Sequence, residues 1–240
     1  MKKFVCILFI SVAVLSFQSL AQTQKPNTIT KQEKKEGWKL LFDGKTTKGW
    51  HKYGGSPIGA AWKVVNGNLY LDTTVKNGGG DITTKDEFDN FDLKVEWKVS
   101  PKANSGIIFY VHEDTTQYGW CWETGPEMQV LDNIDANDNK KENHLAGTLY
   151  DLLGKAEKSK PNPVGEWNQA EIKCVNGKLD LYLNDINIVS TVLWDDYWRA
   201  LVAGSKFKTM KGFGTYKKGH IALQDHGYAV WFRNIKIKKL

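Results

Sequence analysis

Cysteine is scarce in this 240-residue chain: there are three. One, Cys6, stands inside an N-terminal apolar run. The others, Cys121 and Cys174, belong to no Cys-x-x-Cys pair and no Cys/His spacing, so nothing indicates a zinc module. Also missing are GxSxG, a P-loop and HExxH, which removes the conventional nucleophile, nucleotide-phosphate and metalloprotease readings. Helical periodicity is nearly absent. Only the stretch 194–203 suits a short helix, so the chain is not an α-protein. Charge of one sign is not gathered anywhere. The formal net charge is +6, and the Lys residues are scattered among acids rather than set in a stripe, which excludes a nucleic-acid partner.

The one long apolar run lies at the start, MKKFVCILFISVAVLSFQSLAQ. Lys2 and Lys3 form a basic n-region, and Ser19-Leu20-Ala21 fits small-x-small cleavage after Ala21. The run is short and lacks a stop-transfer flank, so it reads as an export signal over 1–21 rather than a membrane span. A lipoprotein would need cysteine at the cleavage point, and Cys6 comes too early. The expected location is periplasmic or secreted. Residues 22–36 are polar and charged and read as a flexible leader. Residues 37–240, about 200 in number, suffice for one domain with a sizeable core. Export permits a Cys121–Cys174 disulfide; two buried thiols are the equal alternative.

What is present is strand pattern. Residues 91–99, FDLKVEWKV, alternate without a fault: Phe91, Leu93, Val95, Trp97 and Val99 on one face, Asp92, Lys94, Glu96 and Lys98 on the other. Asn66-Gly67 and Asn176-Gly177 each sit between apolar runs. Asn-Gly accepts positive φ at both central turn positions, so each marks a hairpin. At the C-terminal end Lys236 and Lys238 alternate with Ile235 and Ile237. Gly is frequent at 22, and turn clusters such as Asn77-Gly78-Gly79-Gly80-Asp81 recur. Many short strands with tight turns give an all-β sandwich or barrel. The ten Trp residues are more than one core needs, and an aromatic face matches the C–H face of a sugar ring.

Four blocks carry the chemistry-bearing side chains: Asn104–Tyr110 (NSGIIFY), Glu127–Asp132 (EMQVLD), His144–Asp151 (HLAGTLYD) and His220–Gly227 (HIALQDHG). On a strand, positions i and i+2 point the same way, so Glu127 and Gln129 share a face opposite Met128 and Val130. A carboxyl and an amide side by side suit a sugar site, one moving a proton and the other fixing an oxygen. His144 follows an acid-rich loop, 132–143, and precedes a strand-like segment ending in Tyr150 and Asp151. Tyr150 offers a hydrogen bond to a developing oxyanion. Gln224, Asp225 and His226 form a polar triplet at a sheet rim, closed by a turn at Gly227. The acid-rich loop lacks EF-hand spacing and the turn glycine. No cofactor is predicted, and a divalent metal is left open.

These blocks resemble, in kind and order, the 3-keto-disaccharide hydrolase domain family. GWKLLFDGKTTKGW, the LYDL segment, PVGEWN, SKF at 205–207 and WFRNIKI extend the resemblance from about Gly37 to the C-terminus. The resemblance implies a concanavalin-like jelly roll of two antiparallel sheets. It also implies action on 3-keto-glycosides: a base takes the C2 proton, the enolate expels the C1 group, and water adds to the enone. Such a site needs a base, a donor for the enolate oxygen and an acid for the leaving group. On this reading Glu127 and His144 transfer protons, and Tyr150, His226 or Lys206 stabilise the enolate. Asn104, Gln129 and Gln224 orient hydroxyls, and Trp122 stacks on the sugar. A double-displacement glycosidase would need a second acid, with Asp151 the available one. The remaining alternatives are a glycan-binding module and a conventional glycosidase acting on unoxidised sugar. Gly119-Trp120-Cys121-Trp122-Glu123 departs from the family pattern and leaves the aglycone open.

Overall fold

A computed structural model describes residues 25–240. The export signal, its cleavage point and Cys6 lie outside the described residues. The chain first forms helix α1 (Lys31–Lys35), whose N-cap Thr30 and residue Glu33 close a capping box. Asn27 donates to Gly67 O at 2.8 Å and accepts from Asn234 N at 2.9 Å, and Lys236 pairs with Glu33. The flexible leader expected over 22–36 is therefore corrected across its described part. Asn27 and Glu33 hold it to the outer surface of a sheet, while most of its other polar side chains stay exposed.

The strands follow in order: β1 (Lys39–Leu40), β2 (Trp50–Lys52), β3 (Trp62–Val65), β4 (Asn68–Leu71), β5 (Ile82–Thr84), β6 (Phe91–Val99), β7 (Asn104–Val111), β8 (Glu127–Leu131), β9 (Asn168–Val175), β10 (Lys178–Leu183) and β11 (Ile186–Val192). Helix α2 (Asp196–Ala203) precedes β12 (His220–Leu223) and β13 (Val230–Lys239). They make two antiparallel sheets. One has eight strands in the order β11-β10-β9-β6-β13-β4-β3, with β1 also on β13; the other has five, β2-β5-β12-β7-β8. This is the two-sheet jelly roll that the family resemblance implied, one of the two forms, sandwich or barrel, that the strand pattern allowed. Asn66 and Gly67, with φ 51° and 76°, turn β3 into β4, and Asn176 and Gly177, with φ 49° and 82°, turn β9 into β10.

The core lies between the sheets. Leu93, Val95 and Trp97 of β6 meet Ile107 and Phe109 of β7, Met128 and Val130 of β8, and Ile221 and Leu223 of β12. Asp92 departs from the wet face expected of it. It is buried, 4.0 Å from Lys238, and burial together with the nearby Glu171 carboxylate pushes its carboxyl up to about 6. A mid-sheet strand shields even its outward side chains. In β7 the register slips against β12, and Tyr110 has φ 55°. This bulge sends Phe109 and Tyr110 both into the core, where alternation would have put only one. Both Cys121 and Cys174 are free and buried. Cys174 is in the main core and Cys121 in a small separate cluster with Ile108, Val111 and Ala222 on the outer side of the five-stranded sheet.

A candidate active site on the outer face of the five-stranded sheet

The pairing register builds the site. Gln129 lies opposite Gly106, Glu127 opposite Ile108, and Ala222 of β12 opposite Ile108. Met128 and Val130 belong to the core, so the alternate residues Glu127 and Gln129 face outward. Gln224, two residues after Ala222 and bonded through its N–H to Gly106 O at 3.0 Å, keeps the same parity. Asn104 begins β7 on that face. Trp122 arrives on a short 3₁₀ turn (Cys121–Glu123). Lys206 and Phe207 arrive on another that follows α2, where Ser205 caps Phe207 N and the Lys206 N–H donates to Asp151 Oδ2 at 3.0 Å.

These elements enclose a pocket of about 200 Å³ lined by Asn104, Trp122, Glu127, Gln129, Tyr150, Lys206, Phe207, Gln224 and His226. Eight of the ten residues expected from the sequence line or back it directly in this way; His144 and Asp151 stand behind the wall instead. Phe207 was not anticipated, although it lies in the SKF motif.

Glu127 is the chemically distinctive group. Its carboxylate accepts no hydrogen bond from the described residues. Burial, reinforced by the carboxylates of Asp81 and Asp138 and opposed by Lys206, pushes it up to about 8. Lys206 is driven the other way: burial lowers its ammonium, against the pull of Glu127, Asp151 and Asp138. Its Nζ lies 4.0 Å from the centroid of the Tyr150 ring and forms no ion pair with any described residue. Two buried amide atoms also lack partners among the described residues, Gln129 Nε2 and Gln224 Oε1. Buried polar atoms are normally satisfied, so a donor and an acceptor left open in one pocket indicate a ligand carrying both.

His144 corrects the expectation placed on it. It is buried on a 3₁₀ turn with Nδ1 2.7 Å from Asp138 Oδ1 and Nε2 2.8 Å from Asp151 Oδ1. Both ring nitrogens are occupied, so neither is left for a substrate. Tyr150 is corrected likewise. Its O–H donates to Asp138 Oδ2 at 2.7 Å, and burial and that carboxylate raise its pKa, so its proton is committed. The segment holding them is not a regular strand. It runs along β8 through Gly147 N–H to Gln129 O, Gln129 N–H to Thr148 O and Tyr150 N–H to Glu127 O, and Gly147 at φ 81° interrupts it. Asp151 accepts from His144, Lys206 N–H and Lys141, and these contacts outweigh burial to hold its carboxyl below the usual range. Asp138 was missed. It joins His144, Tyr150 and Asn104 (3.4 Å), and its only sequence signal was membership of the acid-rich loop. His226 is exposed at the pocket mouth, its ring 6.5 Å from that of Tyr228. Among the described residues no three His, Cys, Asp or Glu side chains stand together as a metal site.

A profile described as a 3-keto-alpha-glucoside-1,2-lyase-like domain matches residues 37–238. A 3-keto-disaccharide hydrolase of Bacteroides thetaiotaomicron is 35% identical over 230 residues, spanning 85% of this chain and 79% of the relative. Two Parabacteroides distasonis crystal structures, both described as candidate glycosyl hydrolases, superpose on the chain. One has a TM-score of 0.81 at 30% identity, over 90% of this chain and 100% of the other. The second has a TM-score of 0.63 at 27% identity, over 85% and 99%.

Proposed function

The chain belongs to the 3-keto-alpha-glucoside-1,2-lyase-like domain family, and from that premise we propose that it is an exported glycoside hydrolase that cleaves 3-keto-glycosides by C2 proton abstraction. The observation that carries this reading is Glu127, a buried carboxyl that accepts no hydrogen bond among the described residues and whose pKa burial raises to about 8, beside Lys206, which forms no ion pair among them. A carboxylate that holds a proton this firmly is a stronger base than a solvated one, and a base works best when its pKa lies near the working pH.

The C3 ketone acidifies the C2 proton. Glu127 takes that proton, and the electron pair passes to the C3 oxygen as an enolate. Lys206 Nζ and Gln129 Nε2 stand ready to stabilise the oxygen, because neither donor has an acceptor among the described residues. When the enolate collapses, the C1–O bond breaks and the leaving oxygen takes a proton from the pocket mouth, where His226 stands. Water added across the C1–C2 double bond restores the saturated 3-keto sugar, and the sum is hydrolysis. Gln224 and Asn104 orient hydroxyls, and Trp122 covers the sugar face. Asp138, His144 and Asp151 position Tyr150 and the Lys206 backbone rather than touching substrate.

A double-displacement glycosidase is disfavoured, since Asp151, its second carboxylate, is outside the pocket. The test is incubation with a 3-keto-glucoside and its unoxidised parent in D₂O, followed by mass spectrometry. Turnover of the keto sugar alone, with deuterium entering at C2, is the expected result. Equal turnover of the parent would establish a conventional glycosidase, and binding without turnover or exchange a glycan-binding module.

A further inference from the structure

The chemistry above uses only Trp122 of the run Gly119-Trp120-Cys121-Trp122-Glu123 and leaves the glycines Gly78-Gly79-Gly80 unused. Residues of both line a second, wider cavity of about 660 Å³ beside the first. The two cavities share two walls. Gln224 and His226 face the inner pocket, whereas Asp225 and Gly227 face the outer one. Trp122 faces the inner pocket, whereas Trp120 faces the outer. Between the tryptophans, Cys121 is fully buried with its thiol 2.8 Å from Asp81 Oδ2, which pins the wall in place.

The glycine run forms the outer floor. A Cβ at residue 79 would lie 2.0 Å from Asp225 Oδ2, and one at residue 80 would lie 2.6 Å from Lys52 Cε. Bare backbone is thus what lets a carboxylate and a lysine lie across the floor, and Gly80 N–H fixes that carboxylate at 2.7 Å. Above it, Trp120 is 57% exposed. An indole this open contributes little to a core, yet it forms part of a cavity wall with Tyr53 and Leu71 and with the polar groups of Lys52, Asp72 and Asn77.

We propose that the outer cavity is the leaving-group subsite and that it holds a second sugar ring against Trp120. The inner pocket is below the usual size for a drug-like ligand and fits one ring, while the outer is well within that range. The alternation of aromatic faces with carboxylates, amide and ammonium groups matches a polyhydroxylated ring, which has apolar C–H faces and a rim of donors and acceptors. A flat apolar aglycone would offer no partner to the side chains of Lys52 and Asn77. The inference rests on the 3-keto-glycoside reading, since it places the C1–O bond over the rim shared by Trp122 and His226.

The experiment compares a methyl 3-keto-glucoside with a 3-keto-disaccharide, using the native enzyme, Trp120→Ala and Trp120→Phe. Trp120→Ala is expected to lower kcat/KM for the disaccharide roughly tenfold, the usual scale for truncating an aromatic anchor. It should leave the methyl glycoside unchanged, and Trp120→Phe should restore most of the loss. Added glucose should inhibit methyl-glycoside turnover in the native enzyme and less in Trp120→Ala. Equal loss on both substrates, or loss on neither, overturns the subsite. Inactivity of the native enzyme on both substrates, with no deuterium uptake at C2, overturns the underlying reading instead, and is seen before any substitution is made.

Discussion

The Glu127 carboxyl lies directly over Gly106: a Cβ built on residue 106 would stand 2.2 Å from Glu127 Oε1 and 2.6 Å from its Cδ. The two residues come from neighbouring strands, with Ile108 rather than Gly106 the register partner of Glu127. The side chain therefore leans along β7 toward Gln129. Residue 106 is a glycine because any side chain would occupy the place of the carboxylate.

Gly106→Ala should consequently displace Glu127 without disturbing the core, which lies on the other side of the sheet. Misplacing a reacting group by about 1 Å costs on the order of 10²-fold in rate. A loss of that size in kcat, with an unchanged circular dichroism spectrum, is expected. Native-like kcat in this variant would argue against Glu127 as the base.

Glu127→Gln keeps the shape and removes the base. The rate on a 3-keto-glucoside should fall by roughly 10²–10⁴-fold, the usual worth of a positioned general base, and solvent exchange at C2 should stop while binding persists. Continued exchange would assign the proton transfer to another group.

The same substitution should show in stability. A carboxyl raised to about 8 in the folded state, against about 4 unfolded, binds more protons folded than unfolded in between, so stability declines as pH rises through that window and levels off above it. Glu127→Gln removes this decline. Its melting temperature should exceed that of the native protein near pH 9, by about 2–4 °C for each kcal/mol of the decline it removes in a domain of this size. The difference should vanish near pH 4. A gain independent of pH would mean that Glu127 does not titrate as described.

The pH profile of kcat/KM should rise along a limb centred near 8, where Glu127 loses its proton. Lys206 is the group holding that value down, so Lys206→Met should move the limb upward as well as lower the plateau. An unmoved limb would separate Lys206 from Glu127 electrostatically.

His144→Asn should lower kcat while leaving the Glu127 limb in place, since His144 acts through Asp138, Asp151 and Tyr150. If His144 were itself the base, the limb would disappear. The two outcomes distinguish a positioning residue from a catalytic one.

The strand-and-turn pattern was legible in the sequence because each device that builds it is local; it left sandwich or barrel open, and the family resemblance chose the two-sheet form. The alternation from Phe91 to Val99 assigns a core face, Asn66-Gly67 and Asn176-Gly177 set hairpins, and the stretch 194–203 suits the short helix found as α2. It also placed Glu127 and Gln129 on one outward face, since strand parity needs no partner. Which polar groups meet depends on how the strands assemble. His144 looked catalytic from its type, but two aspartates six and seven positions away fill both ring nitrogens. Asp138 looked like loop and turned out to hold three site residues. The raised pKa of Glu127 has the same origin. A carboxyl acquires it only when strands distant in sequence close over it and remove its water, and burial of that kind is a property of the assembled sheet.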